Sequence, residues 1–157
     1  MPSPENICFV AENTLGKLSK WLRILGFDTI YEKRAAQPGI YEPHRIRLTR
    51  SQAVSRKRGD KYGEVTIFIA SDHYQEQLKE IIETLNIKKG ALSPFSRCIR
   101  CNAPIQLIDK ESVLGKVPDY IFETHGSFWT CRQCRRIFWP GSHHSQTMDR
   151  IKRLFEG

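Results

Sequence analysis

Two Cys-x-x-Cys pairs constrain this chain more than any other feature of its sequence. Cys98 and Cys101 form the first pair, Cys131 and Cys134 form the second, and 29 residues separate the two. A two-residue spacer lets the backbone turn back, so that both sulfurs of a pair point into one cavity and a second pair completes a tetrahedron. Because four thiolates leave no ligand position open, this spacing predicts a structural zinc ion rather than a catalytic one.

Two other uses of paired cysteines compete with a zinc site. Two disulfides would fit the count, but they are rare in a reducing compartment. The N-terminal residues Met1–Asn6 lack the basic and apolar regions of a signal peptide, so we expect a cytoplasmic protein. A redox-active pair is disfavoured because there are two copies and neither lies at a strand-to-helix junction. The fifth cysteine, Cys8, lies in an apolar segment and is expected in the core.

The chain also carries an excess of positive charge. Its 157 residues include 25 Lys and Arg against 17 Asp and Glu, a formal net charge of +8. Such an excess favours a polyanionic partner, most commonly a nucleic acid, and the alternative is a basic soluble protein without one. No apolar run is as long as a membrane span, so we expect no membrane partner.

Apolar periodicity predicts an α/β domain over residues 1–90. The predicted elements are a strand at 7–11, a helix at 15–25, strands at 27–31 and 45–49, a short helix at 51–58, a strand at 65–70 and a helix at 74–85. Strands that alternate with helices in this way are typical of a parallel sheet.

A second, smaller domain is predicted over residues 94–157. It contains both cysteine pairs and many turn residues. Gly141–His144 is expected to be a loop, and apolar residues between Met148 and Phe155 predict a terminal helix that packs back.

Several segments together closely resemble the Mut-seven C-terminal RNase domain family. They are Leu-Gly-Lys-Leu at 15–18, Trp-Leu-Arg at 21–23, Leu-Gly-Phe-Asp-Thr at 25–29, Leu-Thr-Arg at 48–50, Gln-Leu at 77–78, Phe-Ser-Arg-Cys at 95–98, Cys-Asn at 101–102, Val-Pro at 117–118, Phe128 and Phe-Trp-Pro-Gly-Ser-His at 138–143. The resemblance covers nearly the whole chain, from about residue 7 to residue 154. It implies a PIN-like parallel sheet flanked by helices, followed by a small zinc ribbon, in a nuclease that acts on RNA with Mg²⁺ or Mn²⁺.

Such a nuclease needs carboxylates at the carboxyl ends of its parallel strands, where they hold metal ions that activate water. The resemblance implies Glu12 and Asp72 as the catalytic acids, with Glu42 as a further candidate. The chain departs from the family pattern in two places, because an Asp is usual where Glu12 stands and an acid is expected where Ser51 stands. Asp28 matches a structural position. Without a metal, Glu12 would be a charge partner of a helix N-terminus and Asp72 a helix cap.

Three basic groups in the first domain are candidates for contacts with RNA phosphates. They are Lys17, Lys20 and Arg23 on one helical face, Arg45, Arg47 and Arg50 by the third strand, and Arg56, Lys57 and Arg58 in the short helix. Phosphate contacts from such groups supply affinity without reading sequence. A solvated surface would explain any one group, but three together favour a nucleic acid.

The ribbon interleaves arginines with aromatic residues. The arginines are Arg97, Arg100, Arg132, Arg135 and Arg136, and the aromatics are Phe128, Trp129, Phe138 and Trp139. Aromatic faces between arginines suit stacking on unpaired bases, although half or more of these rings are needed for the small ribbon core. Among these residues and the nearby histidines, Arg135 and His143 are the expected RNA contacts, with His143 favoured over His144.

Three functions follow from this sequence. The first is an RNA-binding protein of a ribonuclease family, with a structural zinc ion and partly lost catalytic acids. The second is an active ribonuclease dependent on Mg²⁺ or Mn²⁺. The third is a zinc-ribbon adaptor for other proteins, whose binding would be insensitive to salt. The sequence leaves open whether the RNA is a transfer RNA, a ribosomal RNA or part of a ribonucleoprotein.

Overall fold

The computed structural model describes residues 6–32, 44–55 and 65–156 of the chain. Its strands are β1 (Cys8–Ala11), β2 (Asp28–Tyr31), β3 (Ile46–Thr49), β4 (Thr66–Phe68), β5 (Ile105–Ile108), β6 (Phe128–Cys131) and β7 (Ile137–Phe138). Its α-helices are α1 (Gly16–Ile24), α2 (Tyr74–Thr84), α3 (Asp119–Thr124) and α4 (Ser142–Arg153). Single 3₁₀ turns lie at Asn13–Leu15, Lys89–Ala91 and Lys110–Val113, and residues 52–55 are helical. Within these ranges, no helix is long and apolar enough to cross a membrane.

The first four strands form one parallel sheet in the order β2-β1-β3-β4. Val10 on β1 lies opposite Ile30 on β2 and Arg47 on β3, so the strands end in register. The predicted α/β class, a parallel sheet flanked by helices, is confirmed. Because all four strands run the same way, their carboxyl ends form one edge, where a candidate site is expected.

Helices α1 and α2 bury their apolar faces against this sheet. α1 contributes Leu18 and Leu22, and α2 contributes Leu78 and Ile81, all at most 1% exposed. Trp21 stacks on a tyrosine of α2. The spacing of three and four residues predicted these buried faces. Cys8 is buried in β1, as its apolar neighbours indicated.

The turn between α1 and β2 needs a glycine. Gly26 has φ of 98°, a left-handed conformation that glycine adopts without strain. A Cβ at this position would clash with the backbone carbonyl of Ser93. The linker comes this close because Ser93 N–H donates to Leu25 O at 3.1 Å and Phe95 N–H donates to Ile24 O at 2.9 Å.

The cysteine-bearing part forms a separate antiparallel sheet in the order β5-β6-β7. A second, smaller core covers one face of it, made from Val113, Val117, Ile121 and Phe128. These residues come from the turn before α3, from α3 itself and from β6, so the ribbon has an apolar centre of its own.

The terminal helix differs from its prediction. α4 begins at Ser142, so Gly141–His144 is not a loop. The ring of His144 stacks on Phe95 with centroids 4.3 Å apart, a contact that anchors the first turn of the helix. At its other end Ile151 is 2% exposed and lies in the core of the parallel sheet. α4 therefore connects the ribbon side of the molecule to the larger core.

Candidate metal centre and sheet-edge site

The four paired cysteines converge on one point. Their sulfur atoms all lie within 4.8 Å of one another, and the Sγ atoms of Cys98 and Cys134 are 3.8 Å apart. A tetrahedral zinc ion with Zn–S bonds of about 2.3 Å places its ligands about 3.8 Å apart, whereas a disulfide needs about 2.05 Å. This donor set fits zinc, so the four cysteines can hold the predicted ion.

Each cysteine pair is shaped by the same backbone turn. Asn102 N–H donates to Cys98 O at 2.8 Å, and Arg135 N–H donates to Cys131 O at 2.7 Å. The residue after the second cysteine is left-handed in both turns, with φ of 66° at Asn102 and 60° at Arg135. Asparagine tolerates this conformation well and arginine does not, so the second turn contains local strain.

The electrostatics of the cysteine cluster favour a bound cation. Burial raises the pKa of the Cys98 thiol. Burial and contact with the Cys134 and Cys98 sulfurs raise the pKa of Cys101 to about 12. Only Cys134 is shifted the other way, because the backbone N–H of Arg136 lowers its pKa to about 7. Four thiolates this close repel one another, and a divalent metal ion removes that repulsion.

The first cysteine turn is fastened to β2 by Arg23. Its Nε donates to Thr29 O at 2.9 Å, and its Nη1 donates to the carbonyls of Ile99 at 2.9 Å and Arg100 at 3.2 Å. Arg23 was predicted as an RNA contact, and the structure places its guanidinium between the sheet and the metal centre.

Asp28 lies at the start of β2, beside the same turn. Arg45 binds both of its carboxylate oxygens, at 2.8 and 3.2 Å. Burial alone would raise the pKa of Asp28, but hydrogen bonds from Arg45 and Asn102 and the charges of Arg45 and Arg97 outweigh it and lower this pKa below its ordinary value. Asp28 lies at the amino end of β2, opposite the carboxyl edge of the sheet, and its carboxylate is engaged by Arg45 and Asn102.

Glu12 follows β1 at the carboxyl edge. Its Oε1 accepts hydrogen bonds from the Thr14 hydroxyl at 2.8 Å and from the Arg50 backbone N–H at 2.6 Å. Its Oε2 accepts one from the Thr49 hydroxyl at 2.8 Å. The carboxylate is held in place by protein donors on both oxygens.

Asp72 follows β4 at the same edge, and Arg50 reaches it from the end of β3. The guanidinium of Arg50 forms an ion pair with Asp72. It also donates to the three backbone carbonyls of residues 69–71 at 2.6–3.1 Å. Arg50 was predicted as an RNA contact, but most of its donors are engaged by the loop after β4. Since its backbone N–H binds Glu12, one residue contacts both candidate acids.

Sequence reasoning missed Glu32, the acid that follows β2. Arg47 binds both of its oxygens, at 3.1 and 2.9 Å, and the two side chains are 7% and 18% exposed. Its position directly after the strand predicted at 27–31 was the available signal. The ion pair makes Glu32 a structural partner of β3 rather than a free ligand.

The remaining predicted residues fall into three sets. Ser51 caps residues 52–55, because its Oγ accepts the Val54 N–H at 3.3 Å. Lys17, Lys20, Arg135 and His143 are exposed. Glu42 and Arg56, with Lys57 and Arg58, lie outside the described residues. Across the described ranges, the four cysteines form the only group of three or more potential ligand side chains that could hold one metal ion.

Comparison with known proteins agrees with the sequence and the fold. A protein-family model described as the Mut7-C RNAse domain matches residues 7–151. No curated protein and no solved structure shows a significant match to the chain. The family match spans the parallel sheet and the cysteine cluster alike, and the chain therefore belongs to the Mut7-C RNAse domain family.

Proposed function

We propose that this chain is an RNA-binding protein in which the nuclease site of its family no longer holds a catalytic metal ion. The observation that supports this most is Ser51, which stands where the family pattern has an acid and whose Oγ instead accepts the Val54 N–H at 3.3 Å. Strand β3 lies between β1 and β4, so Arg50 stands between the two strands that carry Glu12 and Asp72. Its guanidinium already pairs with Asp72. A Mg²⁺ or Mn²⁺ ion at these two acids would therefore compete with the Arg50 guanidinium for Asp72, without the further acid that the family pattern has at position 51.

The exposed charges support RNA as the partner. Lys17 and Lys20 share one face of α1 and are both exposed. The ammonium of Lys17 lies 4.4 Å from the ring centre of Tyr74, and Arg150 of α4 donates to the Tyr74 hydroxyl at 3.5 Å. Cations from two helices therefore meet at one tyrosine. A positive surface of this kind is suited to a phosphate backbone.

RNA binding across a range of salt concentrations tests this proposal. The zinc-loaded protein is titrated into a labelled pool of RNAs, and the dissociation constant is measured by fluorescence anisotropy. We expect the logarithm of the affinity to fall linearly with the logarithm of salt concentration. The double variant Lys17→Gln, Lys20→Gln should bind more weakly, and its slope should be smaller by about 0.7 for each phosphate that is no longer neutralised.

Lys89→Gln is the matched control, because Lys89 is exposed beyond the far end of α2 from Tyr74. Its salt slope should equal that of the wild-type protein. Failure to bind any RNA at low salt would contradict the proposal. Binding of protein partners with no dependence on salt would instead favour the zinc-ribbon adaptor.

An active ribonuclease is the second candidate function. It is favoured by the position of Glu12 and Asp72, which both follow strands at the same carboxyl edge. The donors to Glu12 are two hydroxyl groups and a backbone N–H, all neutral, so none of these three contacts is an ion pair that would compete with a bound cation. In this account Mg²⁺ or Mn²⁺ would supply an activated water.

A further inference from the structure

Four aromatic residues in and directly after strands β6 and β7 separate into two pairs on opposite faces of the ribbon sheet. Phe128 is fully buried and Trp139 packs against it, edge to face, with ring centroids 6.4 Å apart. Both belong to the small ribbon core. Trp129 and Phe138 belong to neither hydrophobic core. Because successive side chains of a strand point to opposite faces, Trp129 lies on the face opposite to that of Phe128.

Trp129 and Phe138 stand side by side on that second face. Trp129 on β6 is paired in register with Phe138 on β7 and with Leu107 on β5. The three side chains form a row across all three strands, with a spacing of about 4.8 Å between neighbouring strands. Leu107 is 68% exposed, and both aromatic rings are partly exposed. This row is an apolar surface that is exposed at Leu107 and half-buried at Trp129 and Phe138.

Positive charge lies next to this row. Arg136 directly precedes β7, two residues before Phe138, and its carbonyl accepts the Cys131 N–H at 3.0 Å, which holds it beside β6. Arg135 is in the same turn, and both arginines are exposed. A purely apolar partner would leave these charges uncompensated, whereas a nucleic acid supplies both flat apolar bases and anionic phosphates.

We infer that Trp129 and Phe138, with Leu107 and Arg136 beside them, form a stacking platform for unpaired bases of single-stranded RNA. This inference rests on the proposed RNA-binding function and names its substrate class. The bases stack on the two rings, and the arginines contact the phosphates that link them. Every base has an aromatic face, so the platform binds with little sequence preference. Paired bases in a duplex hide those faces, so the platform selects single strands.

Three labelled probes of about ten nucleotides test the inference: a single-stranded oligouridylate, an abasic strand with the same number of phosphates, and a duplex RNA. The wild-type protein should bind the oligouridylate more tightly than either other probe. Trp129→Leu keeps an apolar side chain but removes the large ring. It should weaken binding of the oligouridylate about 5- to 100-fold and leave binding of the abasic strand unchanged.

Tyr120→Leu is the matched control, since it removes an aromatic ring that is 66% exposed on α3, the helix that covers the other face. Its affinities should equal those of the wild-type protein. Zinc content and circular dichroism check that each variant is folded. The preference of the wild-type protein for the oligouridylate over the other probes tests the platform even if a variant does not fold.

Equal affinity of the wild-type protein for the oligouridylate and the abasic strand would overturn the platform. The apolar row would then be a candidate contact surface for a protein rather than for RNA bases. Unchanged binding of the oligouridylate by folded Trp129→Leu would overturn it as well. In both cases RNA binding itself stands. Loss of binding to all three probes by the wild-type protein would contradict the proposed function together with the platform.

Discussion

The side-chain amide of Asn102 donates a hydrogen bond of 2.7 Å to the carboxylate of Asp28. The oxygen of the same amide accepts the backbone N–H of Thr29 at 2.9 Å. Asn102 directly follows Cys101 of the metal centre, and β2 is an edge strand of the parallel sheet. One side chain therefore pairs with the edge strand of the sheet and joins that strand to the cysteine cluster.

This pair predicts that Asn102→Ala destabilises the protein. The substitution removes the partner of the Thr29 N–H and one donor to Asp28, and we expect a loss of about 1–3 kcal/mol in the free energy of unfolding, measured in urea. Asn86→Ala is the matched control, because Asn86 is exposed and also has a positive φ, of 51°. Equal losses in the two variants would show that backbone conformation, not the bridge to β2, is responsible.

The ion pair of Asp28 with Arg45 predicts a pH-dependent contribution to stability. The pKa of Asp28 is lowered in the folded protein, so the pair stabilises fully above the ordinary carboxyl pKa of about 4. That contribution is lost as the pH falls through the lowered pKa. Asp28→Asn should cost about 2 kcal/mol at neutral pH, and the difference from wild type should shrink in acid.

Urea unfolding of the wild-type protein and of Asp28→Asn across the acid range checks this prediction. Both proteins lose bound metal at low pH, so that loss cancels when their free energies of unfolding are compared. The exposed Asp149→Asn on α4 serves as the control and should change stability by less than about 0.5 kcal/mol. A difference between Asp28→Asn and wild type that is independent of pH would contradict it.

Zinc binding should release protons. At neutral pH the raised pKa values keep Cys98 and Cys101 protonated, while Cys134, at about 7, is half ionised. Binding therefore displaces at least two protons, and the affinity for zinc should fall about tenfold per pH unit for each of them as the pH is lowered. Calorimetry in buffers of different ionisation enthalpy counts the protons.

Cys8→Ser should leave both the proton count and the zinc content unchanged, because Cys8 is buried in β1 and lies outside the four-cysteine group. Release of fewer than two protons, or a zinc affinity that does not change with pH, would contradict the assignment of these thiols.

The strained turn at Arg135 predicts a stabilising substitution. With φ of 60°, Arg135→Gly relieves the left-handed strain and should stabilise the zinc-loaded protein by up to about 1 kcal/mol. Arg136→Gly, one residue along, should destabilise it, because no positive φ is found there to favour glycine. Thermal unfolding measures both. If Arg135→Gly is destabilised instead, the contacts of the arginine side chain stabilise the protein by more than the left-handed backbone strain destabilises it.

The four-cysteine cluster and the larger core could be predicted from the sequence because their signals are local. Cysteine spacing and the helical periodicity of α1 each depend on residues a few positions apart. The arrangement of Arg45 and Arg47 could not be predicted in this way. Their partners, Asp28 and Glu32, lie on β2 and directly after it, and β2 is separated from β3 by β1 in the sheet. Two arginines that look like a basic surface in the sequence are thus buried ion pairs in the fold.

The exposure of the ribbon aromatics also could not be predicted from neighbouring residues alone. Alternation along β6 indicates that Phe128 and Trp129 face opposite ways, but not which of them is covered. That depends on Val113 and Ile121, which pack on the Phe128 face from a separate segment. The start of α4 was mispredicted because its anchoring contact, between His144 and Phe95, is distant in the sequence.

The most direct test of the central claim is an RNA cleavage assay with the ribbon zinc in place and all other metal removed. Labelled single-stranded RNA is incubated with and without Mn²⁺, beside Glu12→Gln and Asp72→Asn, while anisotropy confirms that the RNA is bound. We predict salt-sensitive binding with no cleavage under either condition, and the same result for both variants. Mn²⁺-dependent cleavage that is lost in both variants would contradict the account. It would show that Glu12 and Asp72 bind a catalytic metal ion even though Arg50 pairs with Asp72.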